Sequence, residues 1–133
     1  MSSEVRKQEA AKWLDKARRD LRVAKMAFND RDPETDLACY LSQQCAEKSL
    51  KALLIQHGIR FAYKHDLAYL VDLLPPNEQQ LLAKFDLDWL TDWATEGRYP
   101  GDAPPATNEE AKKAIEMAEA IYNTSRRCLL HSE

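Results

Sequence analysis

Apolar residues in this chain return at steps of three and four, and that spacing leaves little room for anything but helices. Ala10, Trp13, Leu14, Ala17, Leu21, Ala24 and Phe28 fall along one side of a helix that turns about 100° per residue. Leu37, Ala38, Leu41, Cys45, Ala52, Leu53 and Ile55 form a second and wider apolar surface, which predicts a central, most buried helix. Ala111, Ala114, Ile115, Ala118, Ile121, Tyr122, Ser125, Cys128 and Leu129 mark a third. Its small residues allow another helix to approach closely. Only Ile59 to His65 has room to be extended, and it is too short to seed a sheet alone.

Punctuation residues set the expected boundaries. Ser3 is a candidate N-cap for the first helix. Asp32-Pro33 predicts the start of the second, with Asp as cap and Pro at the first helical position. That helix is expected to run to His57, where Gly58 supplies a left-handed cap. Asp66 to Leu74 reads as a short helix ended by Pro75-Pro76, and Asn77 to Glu96 as a long one closed by Gly97. Arg98 to Ala106 (RYPGDAPPA) must be a loop. Thr107-x-x-Glu110 is a capping box, in which each side chain satisfies the other's free backbone N–H. The expectation is an all-α, up-and-down bundle of four long helices and one short helix.

At 133 residues the chain is the size of one domain, expected to span 1–133. Its formal net charge of −3 argues against a broad non-specific grip on duplex DNA, though a local basic site remains compatible. The longest apolar runs are four residues, Ala52 to Ile55 and Ala68 to Val71, too short to span a membrane. Met1 to Glu9 is polar and lacks the apolar core of a secretory signal. With three cysteines (Cys39, Cys45, Cys128), this points to reduced thiols in the cytoplasm, each most simply a small buried residue. The three glycines form no phosphate-cradling motif, and neither H-E-x-x-H nor E-x-x-H occurs, so no cofactor and no metal site is expected.

Chemistry must then come from a few side chains. Arg126 and His131 stand near the C-terminus in R-R-C-L-L-H. Arg clamps a phosphate and keeps its charge, while His passes protons near neutral pH. Together they form a minimal kit for cleaving a phosphodiester without metal. Arg60 and His65 share the spacing. Positions five apart differ by roughly 140° around a helix, so Arg127, not Arg126, shares a face with His131. A second copy of the helix across a dimer is one way to bring Arg126 and His131 together. The plainer reading is solvated cations complementing a helix C-terminus.

Other polar residues have structural readings. Asp20 lies near the apolar stripe of the first helix and needs a partner, for which Lys48 is the candidate. Glu47 and Lys51 are four apart in the favourable order, expected on an exposed face. Asp66 is expected to cap the short helix, with His65 orienting it. Trp89, Trp93 and Tyr99 have the ring faces to stack on bases, but helical spacing makes the two Trp core candidates first.

The run Cys39 to Leu54 (CYLSQQCAEKSLKALL) resembles the signature of prokaryotic HEPN-domain proteins. Trp13-Leu14-x-x-Ala17-x-x-Asp20-Leu21, His65-Asp66-Leu67 and Arg98-Tyr99-Pro100 match in the same order. The resemblance covers nearly the whole chain. It implies an up-and-down bundle that often forms a homodimer. It also implies a metal-independent endoribonuclease acting on RNA, the toxin of a toxin–antitoxin pair whose antitoxin is a minimal nucleotidyltransferase. The family's R-x4–6-H motif in the last helix maps to Arg126 and His131, two copies meeting at the dimer interface. Arg127 departs from the small or medium polar residue usual after that Arg, which makes the local field more positive. The alternative is a non-catalytic interaction module that binds a nucleotidyltransferase partner or a nucleotide.

Overall fold

The computed structural model describes residues 1–95 and 104–131, and these form six helices with no strand. Three are long: α1 (Ser3–Asn29), α2 (Thr35–His57) and α6 (Asn108–Leu130). Three are short: α3 (Leu67–Asp72), α4 (Pro76–Leu82) and α5 (Leu87–Thr91). The all-helical bundle is as read from the periodicity, but with three long helices where four were expected.

α2 occupies the centre. Its hydrogen bonds fix the directions of its neighbours. Lys48 meets Asp20 and Gln56 meets Arg6, so α1 runs antiparallel to α2. Asp36 accepts from the Ala106 N–H and Gln56 donates to the Leu129 carbonyl, so α6 runs parallel to α2 and antiparallel to α1. Leu50, Leu53 and Leu54 of α2 are buried with Leu67, Leu70, Leu82, Leu90 and Ile121. Burying each such side chain contributes roughly 1.5–3 kcal/mol. Ala111, Ala114, Ala118 and Ser125, all fully buried, let α6 lie close against the core.

The helix boundaries correct several expectations. Ser2, not Ser3, caps α1, its Oγ accepting from the Val5 N–H at 3.1 Å. α2 begins at Thr35, two residues past Pro33, and Glu34 flanks it without a side-chain cap. The Glu34 N–H donates instead to the Ala27 carbonyl of α1, so closing the hairpin displaces the start. Gly58 does end α2, at φ 71°, where a residue bearing Cβ would be strained. Ile59 to Asp66 is irregular rather than a strand. Asp66 caps α3, accepting from the Tyr69 N–H at 3.2 Å.

The expected helix from Asn77 to Glu96 is broken. Asp86 accepts from the Trp89 N–H at 3.2 Å and caps a new helix, α5. On either side of the break Leu82, Leu90 and Trp93 are buried, while Leu81 is exposed. The capping box at Thr107 and Glu110 is present in both directions, at 2.9 and 3.0 Å. The end of the predicted helix at Glu96 and Gly97, and the Arg98-Tyr99-Pro100 motif, lie outside the described residues.

Candidate functional site

α6 turns its small residues inward, so the residues of its last turns project along its flanks. Arg126 and Arg127 are both exposed and follow one another on the helix. About 100° apart, they point to different sides. Arg126 lines an open groove of about 710 Å3 between α1 and α6, together with Arg18, Arg22, Lys25 and Tyr122. His131 flanks the end of α6 and lines another groove, of about 620 Å3, with Arg127, Cys128, His57 and Glu78. Within one protomer the helix therefore groups Arg127, not Arg126, with His131. The side chains of Arg126 and His131 make no hydrogen bond or ion pair with any described residue.

The groove beside Arg126 is cationic. Asp15 holds Arg18 and Arg19 at 3.0 and 2.9 Å, and Glu119 holds Lys25 at 2.5 Å. Arg22 has no acidic partner among the described residues. Because α1 and α6 are antiparallel, the Lys25–Glu119 pair puts Arg22 and Arg18 alongside Tyr122 and Arg126, toward the C-terminal end of α6. This row has a signal in the sequence that the Arg/His spacing does not share: Arg18, Arg22 and Lys25 are spaced by four and three, which is one helical face.

The groove beside His131 holds a tight pair. His57 Nε2 lies 2.9 and 3.0 Å from the two oxygens of Glu78, which is buried. The ring thus ties the end of α2 to α4. Burial and the nearby Glu78 carboxylate push the Cys128 thiol up, against a smaller opposing effect of Arg127. That direction disfavours the thiolate, the form a nucleophile requires.

A third cluster explains much of the central signature. Gln43, Glu47 and Lys51 follow one another at steps of four on α2 and are all buried. Lys51 Nζ lies 2.9 Å from Glu47, correcting the expectation of an exposed pair. His65 Nδ1 reaches the same carboxylate at 2.8 Å, and Gln43 Nε2 donates to it at 3.2 Å and to the His65 carbonyl at 2.9 Å. The rings of Trp13, Phe61 and Tyr63 surround the Lys51 ammonium, with centroids 5.3–5.8 Å away. Burial alone would raise the Glu47 pKa. The hydrogen bonds from Lys51 and His65 outweigh it and hold the carboxyl below its ordinary value.

This network fixes the segment between α2 and α3 against the central helix. It also separates the second Arg/His match: His65 is engaged by Glu47, while Arg60 is exposed and forms no ion pair among the described residues. The predicted Asp20–Lys48 pair is present at 2.6 Å, half-buried. Trp93 is buried and Trp89 partly so, their rings edge-on at 6.0 Å, which places both in packing. Among the described residues, no three His, Cys, Asp or Glu side chains are placed to hold a metal ion. No helix among them is long and apolar enough to cross a membrane.

Comparison with known proteins supplies the relationship. The family model of the HEPN domain matches residues 10–128. The chain is similar to the crystal structure of TT1696 from Thermus thermophilus, with 28% identity and a TM-score of 0.74, covering 89% of this chain and 96% of that one. It is also similar to ST0689, described as an archaeal HEPN homologue, with 32% identity and a TM-score of 0.68, covering 90% and 97%. No curated protein matches.

Proposed function

The chain belongs to the HEPN domain family, and from that premise we propose that it is a metal-independent endoribonuclease that works as a homodimer. It would be the toxin of a pair whose antitoxin is a minimal nucleotidyltransferase. The observation that supports this reading is the state of Arg126: exposed, without an acidic partner among the described residues, and beside further arginines. A guanidinium so placed is ready for a phosphate.

In the reaction, the RNA 2′-oxygen attacks the adjacent phosphorus and the 5′-oxygen leaves. His131 of one protomer removes the 2′-hydroxyl proton, water protonates the leaving 5′-oxygen, and the imidazolium gives its proton back to solvent. Arg126 offsets the charge growing on the phosphate oxygens. The products are a 2′,3′-cyclic phosphate and a 5′-hydroxyl, and DNA, lacking the attacking group, is not cut.

The test is incubation of purified protein with RNA in the presence of EDTA. Cyclic-phosphate ends lost in Arg126→Ala and His131→Ala are the expected result. Activity that vanishes with EDTA, or survives in His131→Ala, overturns the scheme. Expression of the chain should also arrest growth, with relief by its nucleotidyltransferase partner.

One observation favours a second reading, a non-catalytic module that binds a nucleotidyltransferase or a nucleotide. Arg126 and His131 open onto different grooves of one protomer, so a single chain does not hold the pair together. Tight binding of that partner without toxicity or RNA cleavage would support it.

A further inference from the structure

We infer that the groove between α1 and α6 is a binding track for single-stranded RNA, with Arg22 as a phosphate contact beside Arg126. This deepens the ribonuclease reading and rests on it for the identity of the ligand. Four cations line the groove (Arg18, Arg22, Lys25 and Arg126); Glu119 pairs with Lys25 and Asp15 with Arg18, which leaves Arg22 and Arg126 without acidic partners among the described residues. The whole chain is acidic, at −3, so this is a local concentration of positive charge rather than a general property of the surface.

The composition of the groove selects the form of nucleic acid. Its lining is mixed: Leu21 is buried, Tyr122 half-buried and Met26 exposed, set among the cations. Apolar and aromatic surface receives unpaired bases while the cations track the backbone, which is how single strands are held. A duplex hides its bases and offers phosphates alone, and would need a broad basic face. The charge also argues against a second copy of this chain lying along the groove, since self-pairing would set the unpaired Arg22 against its equivalent. The antiparallel direction of α1 and α6 leads the row to Arg126, so a strand lying along it arrives at the proposed cleavage residue.

The test uses the full chain carrying His131→Ala, which leaves RNA intact and lies outside the groove. Binding of an end-labelled single-stranded RNA is followed by fluorescence anisotropy in EDTA over a range of salt. Adding Arg22→Ala is expected to weaken binding about tenfold, as for loss of a charged hydrogen bond. The slope of log affinity against log salt should become shallower by about 0.7, one phosphate contact on a single strand. Arg22→Lys should restore most of that slope, and Lys84→Ala, away from the groove, should change neither quantity. Four results overturn the inference: no measurable single-strand binding, an Arg22→Ala affinity equal to that of its parent, tighter binding of a duplex of the same length, or a change in assembly mass on Arg22→Ala that marks a protomer interface. The two readings fail separately. Cleavage by a chain that keeps His131 and is unchanged by Arg22→Ala sinks the track and spares the ribonuclease. Arg22-dependent binding without cleavage does the reverse.

Discussion

Arg126 and His131 sit five positions apart at the end of α6 and line different grooves of the same protomer. The half-turn mismatch between a five-residue step and the helical repeat is the cause. In this conformation one protomer does not bring the two to one phosphate, so a shared site calls for the arginine of one chain and the histidine of another.

That requirement predicts complementation. Arg126→Ala and His131→Ala proteins, each inactive alone, are expected to regain partial RNA cleavage when unfolded together and refolded as mixed dimers. Either substitution alone should lower the rate by roughly 10²–10⁴-fold, the usual contribution of a positioned proton-transfer group. Mixed dimers that remain inactive would show that the residues are not pooled between protomers.

The buried carboxylate of Glu47 predicts a stability difference. Removing one partner of a buried, hydrogen-bonded ion pair costs about 3–5 kcal/mol, because the other charge is left uncompensated. Glu47→Ala is therefore expected to lower the urea midpoint sharply by stranding Lys51. Glu9→Ala, which breaks an exposed pair with Lys12 at 3.6 Å, should change stability by less than about 1 kcal/mol.

The same carboxylate predicts an acid dependence. Its pKa is lower in the folded chain than the ordinary 4.5, so its stabilisation is complete above that value. It is lost as pH falls below 4.5 and through the folded value. The Tm of the natural chain should therefore fall more steeply over that window than the Tm of Glu47→Gln. Parallel curves would mean that Glu47 binds its proton equally well folded and unfolded.

Thiol reactivity forms a fourth prediction. Burial pushes the Cys45 thiol up to about 12, and Cys39 is equally inaccessible. Neither is expected to react with an alkylating reagent at about pH 8, near the ordinary thiol pKa, while the chain is folded. Cys128, half-buried and raised less, should react slowly. In urea all three should label at similar rates, as read by mass spectrometry. Rapid labelling of folded Cys45 would contradict its place in the core.

The long helices were legible because their signals are local. The apolar stripes of α1 and α6, the capping box at Thr107 and the glycine at position 58 each depend on neighbours within a turn or two. Asp20 and Lys48 could be paired from sequence because a carboxylate near an apolar stripe demands a cation. The break at Asp86 was harder to foresee. A helical pattern continued through it, and the competing cap became visible only in the structure.

The candidate site divides in the same way. Residue identities alone made Arg126 and His131 a matched pair of charge and proton carrier, and helical geometry alone set them on different faces. The sequence also carried the Arg18, Arg22 and Lys25 row, since periodicity along one helix is a property of the chain itself. Only tertiary structure laid that row beside Arg126, because adjacency depends on α6 returning antiparallel to α1. Only tertiary structure turned Glu47 and Lys51 from a surface pair into a buried network, since burial depends on what packs above a helix and not on its own sequence.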